Sequence, residues 1–412
     1  MMPSAHAGGG LVRYCGCFFG VSGYDLEAQT VAIYLSRRGY RLRLVPFGRR
    51  NDRLGLLELR TRRLLECLVQ RLPGTGEDQP PVVEIHHLPP PFMRLDSPVP
   101  AKIGRSMFET ERLPADWAGI FRNLDALWVP SRFNAEACVS AGIEESRVKV
   151  VPIGVETGVF RPGPRGAGFA DENVGADDGA GDLWMRRSDT VVMGGWRPGM
   201  FRFLSVFAWQ ARKGWDILTR AYLEEFGPRE EVCLVVKTRT PKAAPGTIFR
   251  ELISHIRDTL RRSPDQGPPV VLLPGHMRKY ELAVLYRSCD AFVLPSRGEG
   301  FGRPYLEAMA TGLPTIGTAW SGNLDFMTPE NSYLIQVEAL DPVDSPDLPD
   351  AFHGQRWARP SVEHLRLLMR RVYENRQEAA ARGRVARESV VRRYSVGETC
   401  SGLARELDKY LL

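Results

Sequence analysis

Apolar and polar positions along the chain alternate between strand-like and helix-like segments, in two runs. The stretch "LVRYCGCFFGVSGYDLEAQTVAIYLSRRGYRLRLVPF" (11–47) reads strand, glycine loop, helix, strand. An apolar run reaches Phe19, Gly20, Ser22 and Gly23 make the turn, and Gly39 stops the helix that follows. This is a βαβ unit with a glycine-rich first turn, which fits a doubly wound parallel sheet. Further strands are predicted at 81–87, 101–107, 124–130 and 148–155, and Ser131 and Gly142 bracket a helix between the last two. Residues 161–200 are glycine-rich, acidic and without apolar periodicity, and read as a linker or insertion with poorly ordered parts. Alternation then resumes. Strands are predicted at 201–209, 231–238, 268–275 and 290–296, and helices at 214–227, 247–262 and 279–289. Helical stretches at 361–393 and 396–412 close the chain.

Two segments share one frame 165 residues apart: "DALWVPSR" (125–132) and "DAFVLPSR" (290–297). Each follows a helical stretch, looks like a strand, and leads into a loop and a helix, which favours two similar sheet domains in tandem. The first copy passes directly into its capped helix. The second inserts "GEGFG", so the added chemistry belongs to the second copy.

Ligands of open parallel sheets bind beyond the carboxyl ends of the strands, which is where "RGEGFG" falls. Pro304 suits a first helical position and Gly312 the residue just past the end. The start of that helix favours phosphate. Glu307 is about one turn into the helix and Glu299 is on the loop before it, so the two reach different parts of an elongated ligand. Carboxylates accept well from paired sugar hydroxyls. Glu307 suits a ribose diol and Glu299 a transferred sugar, while Gly300 and Gly302 allow close backbone approach. The bland alternative is that Glu307 offsets a helix dipole and Glu299 is solvated. Arg212 and Lys213, in the turn after the strand at 201–209, can neutralise a diphosphate, and Lys237 ends the next strand on the same side. Each of these cations, taken alone, is equally a surface charge at a loop end.

The chain of 412 residues suggests two or three domains, at roughly 100–200 residues each. Hydrophobic content of 43% and charged content of 25% are ordinary for a globular protein. Seven scattered cysteines with no C-x-x-C pair point to reduced structural thiols in a cytoplasmic chain and against a four-cysteine metal site. Neither a secretory leader nor an 18-residue apolar run is present in the sequence. The net charge of +6 is modest, but residues 37–71 hold eleven arginines against three acids, with leucines between them. That segment is either a solvated helix face or a surface that rests on anionic membrane or meets an anionic substrate. Nucleic acid comes last as a partner and is not expected, since this segment carries no nucleic-acid-binding motif.

With these residues in place, the chain resembles the retaining, nucleotide-sugar-dependent glycosyltransferases of family 4, which have the GT-B fold. The resemblance rests on the E-x7-E motif within "GEGFGRPYLEAMATGLPTIGT", the "ARKGW" turn, the junction "WVPSRFNAEACVSAGIEESRVKVVPIGVETGVFRP" and the first loop "GVSGYDLEAQ". It covers 11–163 and 201–410, and leaves 164–200 unmatched. It implies an α/β GT-B architecture in which two Rossmann-like doubly wound domains face a central cleft. The first (11–160) would take the acceptor and the second (201–390) the nucleotide diphosphate sugar. Residues 161–200 would link them, and a C-terminal helix (391–412) would pack back on the first domain. The sugar would be transferred with retention and without a metal or cofactor; the sequence contains no D-x-D.

Carried over by position, Glu299 would hold the donor sugar, Glu307 the ribose, and Lys213 with Arg212 the diphosphate. The N–H groups of Phe301 and Gly302 would approach sugar and phosphate, and His276 and Met277 would lie by the base. Gly23 would face the donor phosphate, and Glu109 would line the acceptor side. His87 is the candidate for a sugar-contacting histidine, with His86 competing and a plain core histidine as the other reading. There are two departures from the family pattern. Phe207 stands where an arginine is often found, and Arg303 follows the glycine loop where a small or apolar residue is common, so that it could alter donor choice. A sugar-nucleotide epimerase of the same fold and an inactive sugar-nucleotide-binding protein are the competing readings.

Overall fold

The computed structural model describes residues 9–48, 57–69, 80–164, 190–240, 245–263, 266–345 and 350–411. The chain divides into two compact units, Met1–Gly154 with Arg393–Leu412, and Val155–Arg392.

The first unit runs β1 (Leu11–Gly16), α1 (Gly23–Arg37), β2 (Leu42–Pro46), α2 (Leu59–Val69), β3 (Pro81–His87), β4 (Ala101–Arg105), α3 (Ala115–Phe121), β5 (Ala126–Val129), α4 (Arg132–Ser140) and β6 (Val148–Val150). Its six strands are parallel in the order β2-β1-β3-β4-β5-β6. The order reverses at β1 and β3, the place where a doubly wound sheet opens a crevice. Strands buried on both faces explain the near-continuous apolar runs. Val12, Tyr14, Ile85, Ile103 and Trp128 form the core together with Ala28, Val31 and Leu35 of α1.

The second unit runs β7 (Val191–Met193), β8 (Phe201–Ala208), α5 (Trp215–Glu225), β9 (Val232–Arg239), α6 (Pro245–Ser254), β10 (Val270–Leu273), α7 (Lys279–Arg287), β11 (Ala291–Leu294), α8 (Arg303–Thr311), β12 (Thr315–Thr318), β13 (Tyr333–Ile335), β14 (Val337–Pro342), β15 (Arg356–Pro360), α9 (Val362–Glu374) and most of α10 (Arg376–Tyr394). Its main sheet has the order β13-β12-β11-β8-β9-β10-β7. All neighbours are parallel except β7, which pairs antiparallel with β10 at the edge. Numbered from β8, the parallel strands follow the 3-2-1-4-5-6 order, with its reversal between β8 and β11. The antiparallel pair β14–β15 stands apart.

Several boundaries differ from the sequence reading. The strand foreseen at 148–155 stops at Val150, because Pro152 lacks the N–H a ladder needs. The single helix foreseen at 361–393 breaks at Asn375, where φ is −103° and ψ 58°. The division between units falls at Gly154/Val155, ahead of the segment read as a linker. Within 161–200, residues 165–189 lie outside the described residues, and β7 turns the end of the segment into an edge strand of the second sheet. The chain returns to the first unit through the end of α10 and α11 (Val396–Asp408), whose Cys400, Leu403, Ala404 and Leu407 join that unit's core.

Of the arginine-rich stretch 37–71, residues 49–56, 70 and 71 lie outside the described residues. In α2, Leu65 and Leu68 point into the core while Arg60 and Arg63 are exposed and Arg62 pairs with Glu66 (3.0 Å). Among the described residues no helix is long and apolar enough to cross a membrane.

Candidate functional site

The loops after β8 and β11 meet at the reversal of the second sheet. Gly214 makes the approach possible: its φ is +66°, and a side chain there would collide with Pro295 O. Arg297 N–H donates to Arg212 O (2.7 Å). The Arg297 guanidinium grips Asp216 at the start of α5 through two hydrogen bonds (2.9 and 2.7 Å) and also donates to Ala211 O. A planar fork matched to a carboxylate holds both loops in one geometry. Burial opposes the Asp216 charge, but Arg297 more than offsets it and keeps that carboxyl below its usual range.

On this frame the predicted acid and cations come together. Lys213 Nζ donates to Glu299 Oε1 (2.5 Å), Ser296 Oγ donates to the same oxygen (2.8 Å), and Arg212 Nη1 lies 3.6 Å from Glu299 Oε2. Arg212 also donates to Gly298 O. All three charged side chains are buried. Burial alone would push the Glu299 carboxyl up; Lys213 and Arg212 outweigh it and hold the carboxyl below its usual range. The sequence reading assigned the cations to a diphosphate and the acid to a sugar. The structure shows them paired with one another.

Glu307 sits one turn into α8, which starts after Gly302 and ends at Gly312 as the proline and glycine signals indicate. No side chain caps the start of α8. Glu307 accepts from Arg303 Nε (2.8 Å) and from Tyr286 Oη (3.2 Å). Burial, followed by the Glu307 charge, pushes the Tyr286 phenol up, so it remains a donor. Arg303 is thus the immediate partner of the carboxylate foreseen for a ribose.

Gly300 lies in the loop between the two glutamates. Phe301 is buried against Phe326, with ring centroids 5.1 Å apart. The loop is pinned from the far side: Gly322 N–H donates to Glu299 O, and Glu299 N–H donates to Ser321 Oγ (both 2.9 Å). Gly322 has to be glycine, since a Cβ there would strike Gly300 O. Ser321 has φ 76° and ψ −160°, a conformation that is essentially glycine's own. It is one of two described non-glycine residues with positive φ, and the one at this site.

Lys237 differs from its expected role as an open cation. It is buried at the end of β9, and its ammonium donates to Gly275 O (2.6 Å) and to Leu273 O and Thr238 O (both 3.3 Å). It therefore fixes the loop after β10, which carries the half-buried His276 and Met277. Burial, Arg239 and Lys237 all lower the His276 pKa, so the ring is neutral near pH 7.

In the first unit, Gly23 opens α1 behind an N-cap at Ser22. Asp25 closes the glycine loop by accepting from Gly20 N–H (2.8 Å) and Ser22 N–H (2.9 Å). The structure places His87 in the core: it is fully buried, with Nδ1 2.8 Å from Tyr14 Oη and Nε2 3.4 Å from Glu27 Oε2. Burial lowers its pKa despite Glu27. His86 is buried as well, with Nε2 3.4 Å from Glu84 Oε2. Glu109 is half-buried near Tyr24, whose hydroxyl contacts Ser106 (3.1 Å).

Sequence reasoning missed Arg297, Ser321 and Tyr286. Arg297 had a signal, since it closes the repeated frame. Its counterpart Arg132 simply follows the Ser131 cap of α4, while Ser296 serves Glu299 instead of capping a helix. Ser321 and Tyr286 carried none, because their meaning lies in contacts with distant residues.

The chain is similar to several known proteins in sequence and in fold. Residues 200–345 match the family described as glycosyl transferases group 1. Over 138 residues the chain is 30% identical to mannosylfructose-phosphate synthase of Agrobacterium fabrum, a match covering 33% of this chain and 28% of that protein. Over 190 residues it is 32% identical to D-inositol 3-phosphate glycosyltransferase of Actinosynnema mirum, covering 43% and 37%. The chain thus spans about a third of the length of these curated relatives. Among solved structures, it resembles Anabaena Alr3699/HepE in complex with UDP and glucose (13% identity, TM-score 0.63, covering 97% of this chain and 100% of that one). It also resembles sucrose-phosphate synthase from Thermosynechococcus elongatus (14% identity, TM-score 0.64, covering 97% and 98%).

The fold is GT-B. The GT-B chain carries its group 1 region on the unit that holds Glu299, Lys213 and Glu307.

Proposed function

We propose that this protein is a family 4 glycosyltransferase. It would move a sugar from a nucleotide diphosphate sugar to an acceptor (a glycan, a lipid or a small molecule) with retention and without a metal cofactor. One observation carries the reading: Glu299, Lys213 and Arg212 converge at the reversal of the second sheet, beside the uncapped helix start that bears Glu307. The paired state suits an exchange. A diphosphate draws Lys213 and Arg212 to itself, and Glu299 is released to accept from sugar hydroxyls, each charged hydrogen bond contributing about 1.5–3 kcal/mol. The cations then stabilise the leaving diphosphate, and its oxygen helps deprotonate the acceptor. Catalysis is chiefly positioning and charge stabilisation.

The test is a transfer assay over a panel of nucleotide sugars. UDP-sugars come first, because a structural neighbour was solved with UDP and glucose. Glu299→Ala and Glu307→Ala are expected to abolish transfer with unchanged circular dichroism, and chelator is expected to leave the wild-type rate intact. The anomeric coupling constant of the product reports retention. Full activity in both variants would overturn the assignment.

A further inference from the structure

Arg303 stands where a cation works against its own helix. It is the first residue of α8, and a positive charge in the first turn opposes the helix dipole. Glu307 follows it by four residues, and an i,i+4 pair with the cation first is the less favourable order. Helix stability therefore does not account for the pair. Burial adds to the cost. Glu307 is buried, and the Arg303 side chain is only 15% exposed. Arg303 Nη1 is closed to solvent and has no hydrogen-bond partner among the described residues. A buried donor left without an acceptor is destabilising, most of all on a charged group.

The pair still has hydrogen bonds to offer. A carboxylate accepts at about four lone-pair sites, two on each oxygen. Arg303 Nε takes one on Glu307 Oε1 (2.8 Å) and Tyr286 Oη takes one on Oε2 (3.2 Å). The Tyr286 hydroxyl is also 3.2 Å from Pro304 O, so its one proton is shared. Each Glu307 oxygen thus keeps an acceptor position, and Nη1 of the adjacent guanidinium lacks an acceptor. A phosphate suits the guanidinium but is repelled by the carboxylate. An ammonium suits the carboxylate but is repelled by the guanidinium. The group that suits both is uncharged and carries neighbouring hydroxyls, each of which donates and accepts. In a nucleoside diphosphate that group is the ribose diol.

We propose that Arg303 is a specificity residue that reads the ribose of the donor: one ribose hydroxyl accepts from Arg303 Nη1 while the diol donates to Glu307. The proposal rests on the transfer reading, in which Glu307 holds the ribose, and adds the guanidinium to that grip. The group ends a flexible side chain, so a small shift brings Nη1 to the ligand. A site with a donor and an acceptor for a hydroxyl rejects the analogue that lacks it, because its own groups are then left unpaired.

Calorimetric titration of the full chain tests it. UDP, GDP and ADP are compared first, and the tightest is then set against its 2′-deoxy and 3′-deoxy forms in the wild type, Arg303→Met and Glu307→Gln. The readout is the ratio of dissociation constants on one preparation, which a partly unfolded sample does not distort. The wild type is expected to bind at least one deoxy form about tenfold or more less tightly than the ribose form. Arg303→Met is expected to reduce that ratio about fivefold or more. Arg303→Gln, whose amide can still donate to Glu307 but does not reach as far as Nη1, should give the same result and keeps the test decisive if Arg303→Met folds poorly. A wild-type ratio near one, or a ratio unchanged in both Arg303 variants, overturns the proposal and leaves the transfer reading in place. So does tighter binding of the ribose form by Arg303→Met, which would make Arg303 a competitor for Glu307. Affinity unaltered by Glu307→Gln, or no saturation by any of the three diphosphates at about 10 mM, overturns the transfer reading and this proposal with it.

Discussion

Ser321 shows how much of the site hangs on a single backbone. Its conformation is one that costs roughly 1–3 kcal/mol for a residue with a side chain. The chain keeps a hydroxyl there, and that hydroxyl accepts the Glu299 N–H. The strain and the hydrogen bond can be separated. Ser321→Ala retains the strain and loses the bond, whereas Ser321→Gly relieves the strain and loses the bond. Glycine is therefore expected to melt higher than alanine by a margin equivalent to about 1–2 kcal/mol. Both variants should lose transfer activity, because the Glu299 backbone then keeps only the Gly322 N–H bond to its carbonyl. Equal melting points would mean the backbone is not strained there, and wild-type activity in Ser321→Gly would remove Ser321 from the positioning of Glu299.

At the scale of elements, buried charge ties α1 to the sheet. Glu27 on α1 pairs with Arg105 of β4 and lies beside His87 of β3. Burial opposes its charge, but Arg105 and His87 prevail, and the carboxyl is lowered to about 2. Its folded pKa is thus below the ordinary value of 4.5, so its contribution is complete above pH 4.5 and is lost as pH falls toward 2. The difference is worth roughly 3 kcal/mol. His87, also lowered, works in the same direction and begins to cost stability below its ordinary 6.5. Urea melts between pH 7 and 3 are expected to show Glu27→Gln already destabilised at pH 7 and less sensitive to acid than wild type. A variant with an unaltered acid slope would count against the Glu27 account.

The α2 helix allows a second prediction at this scale. Its leucines are used by the core and its exposed arginines carry little apolar surface between them, Leu59 excepted. Contact with anionic vesicles through this helix should therefore be electrostatic, present in flotation at low salt and gone at about 0.15 M, where screening acts over about 8 Å. Binding that survives salt would mean apolar insertion instead.

Elements were legible in the sequence where local chemistry specified them. Pro304 and Gly312 bound α8, and Ser131 with Gly142 bounds α4. The short β7 and the β14–β15 pair were not, because strands of three to six residues at an edge carry no apolar run of their own. The same division holds in the site. The spacing of Glu299 and Glu307 and the Arg212–Lys213 turn could be read directly. The commitment of Lys237 to backbone carbonyls and of His87 to a buried tyrosine and glutamate could not, since a residue's type does not say how its own fold uses it.

For the whole molecule, the proposed function makes one unit the carrier of the nucleotide. The reversal between β8 and β11, the Arg212–Lys213 turn and α8 all belong to Val155–Arg392, while the first unit has its own core, closed by α11. UDP should therefore stabilise the two units unequally. At 100 times its dissociation constant a ligand adds about 2.7 kcal/mol to the state that binds it. In mild urea, hydrogen exchange resolved by peptide should slow with UDP in segments of β8, β9, β11 and α8, by up to about 100-fold where exchange requires the unit to open. Segments of β1, β3 and β5 should exchange at their unliganded rate. Lys213→Gln should remove most of the protection, since it takes away a cation that the proposed function assigns to the diphosphate. Equal slowing in both sets of segments would show that the two units open as one cooperative body. Slowing confined to the first unit would place the nucleotide on the wrong sheet and, with it, the role given to Glu299 and Glu307.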